Sequence, residues 1–350
     1  MMRPIGFAIV GCGMIARFHA RAIAEIPEAR VAALVSRSTD SASRFADELG
    51  TGPALYTDLA TALADPSVDA VIITTPSGVH LDSALLAAAA KKHVVVEKPL
   101  EITADRCDRI IAACEQAGVL LCTIFPSRFG DANQELKKAL DAGRFGRLTL
   151  GETTCKWWRS QAYYDEGGWK GTLALDGGGA LMNQAIHNVD LLQWFMGDVT
   201  AISGFTATLA HERIEVEDTA VACLRFASGA LGVIQATTSV HPGLPKTIAV
   251  HGDRGTAVIE QDDLLRWEFL DALPDDDALR ARFAQKSGAS GGSSNPASIS
   301  HEGHRRQLAD FVSAIQHGGK PAVDGREGRK SVAIIEAIYR SAKSGRTEAV

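Results

Sequence analysis

The sequence predicts an α/β protein in two parts: a doubly wound parallel sheet, then an α+β domain on an open, largely antiparallel sheet. Three observations carry this. From residue 7 to 123, short and continuously apolar runs alternate with helical patterns, as strands buried on both faces by crossover helices do. From residue 201 to 269, six strand-like runs follow one another without helices, which indicates antiparallel pairing. A glycine turn stands between the first strand and the first helix, where an open parallel sheet presents its ligand. With 350 residues the chain is long enough for two domains, divided on this reading at 1–125 and 126–350, with the final helix able to pack back on the first.

In GFAIVGCGMIARFHARAI (6–23) the apolar run 7–10 meets Gly11, Cys12 and Gly13, and a helical pattern begins at Met14 and Ile15. Gly11 allows a tight turn, and Gly13 lets the backbone approach a pyrophosphate. The free N–H groups and positive dipole end of the helix then face that anion. Ala16, in the third glycine position, still permits close packing of helix on strand. A dinucleotide cofactor is expected here. VAALV (31–35) reads as the second strand. An acid at its end would bind the ribose hydroxyls, but this chain has Ser36, Arg37 and Ser38. Without a carboxylate a 2′-phosphate is not repelled, and a guanidinium can bind one bidentately. The pair Ser36-Arg37 thus tilts the expectation toward NADP over NAD, unless Arg37 only stacks on adenine or faces solvent.

The alternation continues with a helix at 40–49 closed by Gly50, a short helix at 59–63, and a third strand at 68–74 ended by Thr75-Pro76-Ser77. His80 opens a helix to about residue 90. A fourth strand at 93–96 leads into Glu97, Lys98 and Pro99, and a helix at 103–117 with Gly118 as its stop precedes a fifth strand at 119–123. Ligands of such sheets bind beyond the carboxyl ends of the strands. Thr75, Pro76, Glu97, Lys98 and Ser127-Arg128 stand at such ends and are therefore site candidates; Thr75, Pro76, Glu97 and Lys98, with His80 at the start of the next helix, are expected on the cofactor, and Arg128 on the substrate.

After Phe129 the pattern changes. A helix at 133–142 and a strand-like run at 148–158 lead into a polar aromatic loop holding Arg159, Gln161, Tyr163, Tyr164, Trp169 and Lys170. A helix from about 178 to 195 follows, then the six strands, with Ser228-Gly229 as a hairpin turn. Residues 275–277 form an acidic patch. KSGASGGSSNPASIS (286–300) reads as a mobile low-complexity loop, for which surface disorder is a simpler account than a cover over a site or a neighbouring subunit. Two helices, 301–317 and 325–343, end the chain.

Bulk properties exclude several classes. A net charge of −6 offers no basic excess for neutralising nucleic-acid phosphates. The opening MMRPIGFAIV leads directly into the glycine turn, unlike a secretory signal, and the apolar run 84–90 is stopped by Lys91 and Lys92, too short to span a bilayer. Six scattered cysteines without a CxxC pair read as reduced thiols of a cytoplasmic protein, and no metal is expected.

In DGGGALMNQAIHNVDLLQW (176–194), Asn183, His187 and Asp190 are spaced i, i+4, i+7 and lie on one helical stripe. The glycines at 177–179 let the helix start approach another backbone or a ligand. His187 is the candidate catalytic residue. Asp190 either orients it or is a packing acid. With the glycine turn, TPSGVH (75–80) and EKP (97–99), this helix resembles the Gfo/Idh/MocA oxidoreductase family of glucose–fructose oxidoreductase and inositol dehydrogenases. The similarity spans essentially the whole chain, with four motifs in family order.

The resemblance implies a Rossmann domain, then a domain whose open sheet often forms the oligomer interface, hence a homodimer or homotetramer. It implies that Lys98 and His187 face a substrate alcohol beside the nicotinamide. Many members have an aspartate where this chain has Asn183, and an amide cannot take a proton but can hydrogen-bond a sugar hydroxyl. The stretch RSQAYYDEGGWKGTLALDGGGALMNQ (159–184) is similar to a branch with UDP-N-acetylglucosamine-uronate 3-dehydrogenases, which suggests oxidation of a pyranoside at C3. Arg159, Tyr164, Trp169 and Lys170 would then contact the sugar, Trp169 and Tyr164 having packing as their other role. The expected reaction is hydride transfer between a secondary alcohol of a carbohydrate-like substrate and the nicotinamide. His187 would be the general base and Lys98 would stabilise the alkoxide, with the exchanged roles open. A cofactor-sensing regulator, or a reductase of imines or tetrapyrroles, are the competing readings. A sensor has no need of both Lys98 and His187.

Overall fold

A computed structural model describes residues 3–166, 168–284 and 300–350 of the chain. The low-complexity run predicted at 286–300 lies, but for its last residue, outside the described residues. Two compact units result, Met1–Pro126 with His301–Arg329, and Ser127–Ser300 with Lys330–Val350.

Among the described residues, the first unit holds six strands, β1 (Ile5–Val10), β2 (Ala29–Val35), β3 (Ala54–Tyr56), β4 (Ala70–Ile73), β5 (His93–Val96) and β6 (Leu121–Thr123). They are all parallel, in the order β3-β2-β1-β4-β5-β6. The helices α1 (Met14–Ala24), α2 (Thr39–Leu49), α3 (Leu59–Leu63), α4 (His80–Ala89) and α5 (Ala104–Ala117) connect them. Helix starts follow local chemistry: Ser38, Asp58 and Thr103 each accept the backbone N–H three residues on. The expectation of five strands is corrected to six. The missed β3 is a three-residue edge strand, too short to show a period. The strand order reverses between β1 and β4, the crevice where such sheets take their ligand.

The second unit holds α6 (Asp131–Asp141), β7 (Leu148–Lys156), α7 (Gln161–Asp165), α8 (Ile186–Met196), β8 (Val199–Ala207), β9 (Thr219–Phe226), β10 (Leu231–Thr237), β11 (Thr247–Gly252), β12 (Gly255–Glu260), β13 (Asp263–Phe269) and α9 (Asp276–Phe283). The seven-stranded order is β13-β12-β11-β7-β10-β9-β8, antiparallel except where β7 runs parallel to β10. Gly229, at φ +87°, makes the β9–β10 turn predicted at Ser228-Gly229. The acidic patch is the start of α9, where Asp276 takes Arg144 and the Trp267 N–H. Helix α8 lies on β7 and β11, and the amide of Asn188 donates to Thr153, Thr154 and Thr247 in those strands.

Two more helices close the chain, α10 (Glu302–His317) and α11 (Gly325–Ser344). Leu308, Phe311 and Val312 of α10 complete the core made by Phe7, Ile9 and Ile23 in the first unit. Helix α11 starts in the first unit, where Gly328 lies against Thr123, and its later turns belong to the second, where Ser341 accepts from Gly204 N–H. Among the described residues no helix is long and apolar enough to cross a membrane.

Candidate active site

The functional side chains fall in both units, and each unit presents its own set. In the first, Gly11 has φ +96° and donates to the Val35 carbonyl at 2.9 Å. A Cβ there would lie 3.0 Å from the Thr74 carbonyl, so this turn demands glycine twice over. Thr74 secures it by donating to the carbonyls of Gly11 and Val10. Gly13 is different: a Cβ there meets nothing within 4 Å. It precedes α1 with no side-chain cap and no acid in the first turn, and Met14 stands exposed beside it. An uncapped helix start bordered by open space fits a cofactor pyrophosphate. Ile15 follows on α1, and Ala16 is fully buried. Ser36 and Arg37 are at the surface after β2, Ser36 Oγ accepting the Ser38 N–H.

At the ends of β4 and β5, His80 and Glu97 are engaged by groups of the protein. His80 is buried, with Nε2 3.0 Å from the Thr75 carbonyl and Nδ1 3.0 Å from the Pro99 carbonyl, on either side of Pro76 and Lys98. Burial holds its imidazole below the ordinary range, so in the neutral form it donates to one of the two. Glu97 is buried too: Oε1 accepts from His19 Nε2 at 2.7 Å, and Oε2 accepts the Lys98 backbone N–H at 3.0 Å. Burial pushes this carboxyl up, but the His19 hydrogen bond and the charges of His19, His304 and Lys98 outweigh it and hold it at about 2. The ionised carboxylate thereby sets the chain direction at Lys98, which is half-buried. His304 Nε2 lies 3.8 Å from the same oxygen. The ligand-type atoms of His19, Glu97 and His304 all fall within 4.8 Å of one another. However, among the described residues both Nδ1 atoms of the two histidines are buried without the carbonyl or carboxylate partner that metal-ligating imidazoles keep. The trio is a hydrogen-bonded pair with a neutral imidazole beside it.

In the second unit the helix that carries His187 begins with a π-helical turn, Ala180–Ala185, and continues as α8. Of residues 180–193 only Asn183 and His187 are not buried. They stand one turn apart, and farther along the helix Trp194 is half-buried as well. Asn183 donates to Asp176 and accepts from Gln184 Nε2 at 3.0 Å. The same Gln184 amide donates to the Tyr163 hydroxyl, and its oxygen accepts from Arg159. Arg159 is buried with its guanidinium 5.0 Å from the Trp157 ring and 5.5 Å from that of Tyr163. Lys170 Nζ sits 3.8 Å over the Tyr163 ring, and burial holds its pKa below the ordinary value. Trp169 is half-buried. Tyr164 points into the core, its hydroxyl 2.9 Å from that of Thr238. Arg128 and Asp190 are both buried and bonded to each other twice, at 2.8 and 2.7 Å, and the guanidinium also covers Trp194.

In the glycine run at 177–179, Gly178 and Gly179 accommodate protein. A Cβ on Gly178 would lie 2.1 Å from the Tyr339 hydroxyl, and one on Gly179 would lie 1.8 Å from the Glu217 carbonyl oxygen. Glu217 is buried, and burial pushes its carboxyl up to about 7 against the pull of the Leu181 and Gly179 N–H groups and the Tyr339 hydroxyl. Asp176, Tyr163 and Gln184 were within reach of sequence reasoning, since they belong to the motifs singled out there. His19 also lies inside a quoted motif, the 6–23 stretch, whereas His304, Glu217 and Tyr339 carry no local signal.

Comparison with known proteins identifies the family. Residues 5–125 match the family model described as an oxidoreductase family with an NAD-binding Rossmann fold, and residues 133–258 match the GFO/IDH/MocA C-terminal domain. The myo-inositol 2-dehydrogenase of Thermotoga maritima is 28% identical, covering 97% of this chain and 96% of its own. The scyllo-inositol 2-dehydrogenase (NAD(+)) of Bacillus subtilis is 25% identical, covering 99% and 96%. The structure of the WlbA dehydrogenase from Bordetella pertussis, in complex with NADH and UDP-GlcNAcA, is 36% identical and superposes with a TM-score of 0.91, covering 99% of this chain and 98% of that one. With both domain models in order and relatives matching end to end, the chain belongs to the Gfo/Idh/MocA family of NAD-binding oxidoreductases.

Proposed function

We propose that the protein oxidises a secondary ring hydroxyl of a sugar derivative, the first unit binding the cofactor and the second recognising the substrate. The observation that supports this reading is the exposure pattern on the first half of the His187 helix, where between Ala180 and Gln193 a base and an amide stand less buried than their neighbours. When bound, the nicotinamide dinucleotide accepts the hydride. The chain must then take the hydroxyl proton and tolerate a developing alkoxide. An imidazole is suited to the first task because it exchanges a proton near neutral pH. Lys98 Nζ, as a cation, stabilises the alkoxide oxygen. Asn183, braced by Asp176 and Gln184, would hydrogen-bond a neighbouring hydroxyl.

A hexose uronate joined to a nucleotide is the substrate class we favour, supported by the 36% identity to WlbA and by the Arg159–Tyr163–Lys170 cluster. The absence of a carboxylate at Ser36-Arg37 leaves room for the 2′-phosphate of NADP, whereas the complex of WlbA contains NADH. Both cofactors are therefore to be tried. The six cysteines, all among the described residues, form no disulfide, which supports a reducing, cytoplasmic setting. The outer face of the second sheet, with Phe205, Val221 and Leu231 exposed, supports a homodimer or homotetramer.

Absorbance at 340 nm tests the reading, with NAD or NADP and a panel of inositols, aldoses, anhydrosugars and UDP-linked uronates. Reduction is expected with a UDP-linked uronate. His187→Ala should lose on the order of 10²–10⁴ of that turnover while NADH still binds. No absorbance change with any compound, or full turnover in the His187 variant, defeats it.

A further inference from the structure

We propose that Glu217 is a positioning residue that sets the register of the helix carrying Asn183 and His187. The inference rests on reading His187 as the proton-transfer residue. The start of a helix leaves its first N–H groups without internal partners, and a nearby side chain usually caps them. Here the residue before the π-helical turn is Gly179, which has no side chain to offer. Glu217, thirty-eight positions along the chain, does the work instead. Its Oε2 accepts from Gly179 N at 2.9 Å, its Oε1 accepts from Leu181 N at 2.8 Å, and its own backbone carbonyl accepts from Ala180 N at 3.0 Å. One residue therefore satisfies three successive N–H groups at the head of this helix. Tyr339 of α11 holds the carboxylate in place by donating to Oε1 at 3.0 Å.

The glycines make room for this arrangement rather than for a ligand. Any side chain at 179 would strike the Glu217 carbonyl, and any at 178 would strike the Tyr339 hydroxyl. A carboxylate at this point also favours the positive end of the helix. The consequence reaches function through register. With three N–H groups pinned from outside, the first turn runs in π-helical hydrogen bonding before α8 begins, and the rotation of the following residues is determined by that pinned turn. His187 and Asn183 then face outward while their neighbours are buried. Glu217 touches no reacting atom. It acts through His187.

The test uses the full chain with Glu217→Gln, which keeps the shape but sets an amide NH₂ against one of the backbone N–H donors, and Tyr339→Phe as a milder second variant. Two readouts need no substrate. These are hydrogen exchange of the amides at Gly179 and Leu181, and the ring signal of His187 in a ¹³C–¹H spectrum, assigned by its loss in His187→Gln. In E217Q both amides should exchange at least tenfold faster and the His187 signal should move, while NADH titrated by fluorescence binds within twofold of wild type. With a substrate from the panel, kcat should fall at least tenfold and KM for the cofactor should stay put. Tyr339→Phe should move the same readouts in the same direction by twofold to fivefold, and it decides the matter if E217Q does not fold. Unchanged exchange and an unmoved His187 signal in the folded variant overturn the inference. A protein inactive on every sugar, yet showing those shifts, defeats the catalytic reading and leaves the role of Glu217 supported.

Discussion

His304 and Glu97 show how single buried groups tie this protein's stability to pH. Burial is the main cause that lowers His304, from an ordinary 6.5 to about 4; His19, His301 and Lys98 push the same way and Glu97 opposes them. The unfolded chain therefore takes up the proton first. Stability from this site is fully present above pH 6.5 and is lost as pH falls toward 4, a contribution of up to about 3 kcal/mol at roughly 1.4 kcal/mol per pH unit. Glu97 is held at about 2 against an ordinary 4.5, so its contribution is present above 4.5 and lost on the way down to 2. Replacing His304 by Phe, which keeps ring packing on Phe18 and His19, should flatten the loss of stability between pH 6.5 and 4 and leave the steeper fall below it. Urea midpoints measured across pH 2.5–8 check this. An acid limb identical to wild type would mean that His304 is not the group responsible.

At the scale of the element, the helix carrying His187 is held from outside at both ends of its working stretch. Glu217 pins the start, and farther along Asp190 is bonded twice to Arg128 of the turn Pro126–Phe129. An ion pair this deeply buried adds little against an apolar replacement, but removing one partner leaves a desolvated charge. Asp190→Ala should therefore cost about 3–5 kcal/mol, seen as a lower denaturant midpoint. A loss below about 1 kcal/mol, the range of an exposed pair, would show that Arg128 finds water or another acceptor. The i, i+4, i+7 stripe was legible in the sequence, yet the partner of Asp190 was not, because Arg128 lies sixty-two residues away.

At the scale of the whole molecule, the second sheet presents helix α8 on one face and, on the other, outward residues that include Phe205, 76% exposed, paired across strands with Val221 at 45%. Leu231 and Leu150 are neighbours on β10 and β7 of the same face. Exposed apolar residues gathered on one face of a sheet are the expected mark of an interface. Wild type should elute as a homodimer or homotetramer, and Phe205→Arg with Val221→Arg should shift it toward a 37.1 kDa monomer. Light scattering on the eluted peak distinguishes the outcomes, and a wild-type monomer at micromolar concentration would sink the expectation.

Sequence alone determined what depends on neighbours a few residues apart: the glycine turn, the alternation of apolar strands with helices, the hairpin at Ser228-Gly229, and the stripe holding Asn183 and His187. These follow from local φ/ψ preference and from the 2.0 and 3.6 residue periods. Only the tertiary structure decided what depends on residues brought from far along the chain. It returned α10 to the core of the first unit, placed β7 in the middle of the second sheet, and inserted the edge strand β3. It turned Glu97 inward to His19 and gave the DGGG run its reason in Glu217 and Tyr339. A buried carboxylate needs donors wherever the fold brings them, and no spacing along the chain records where that will be.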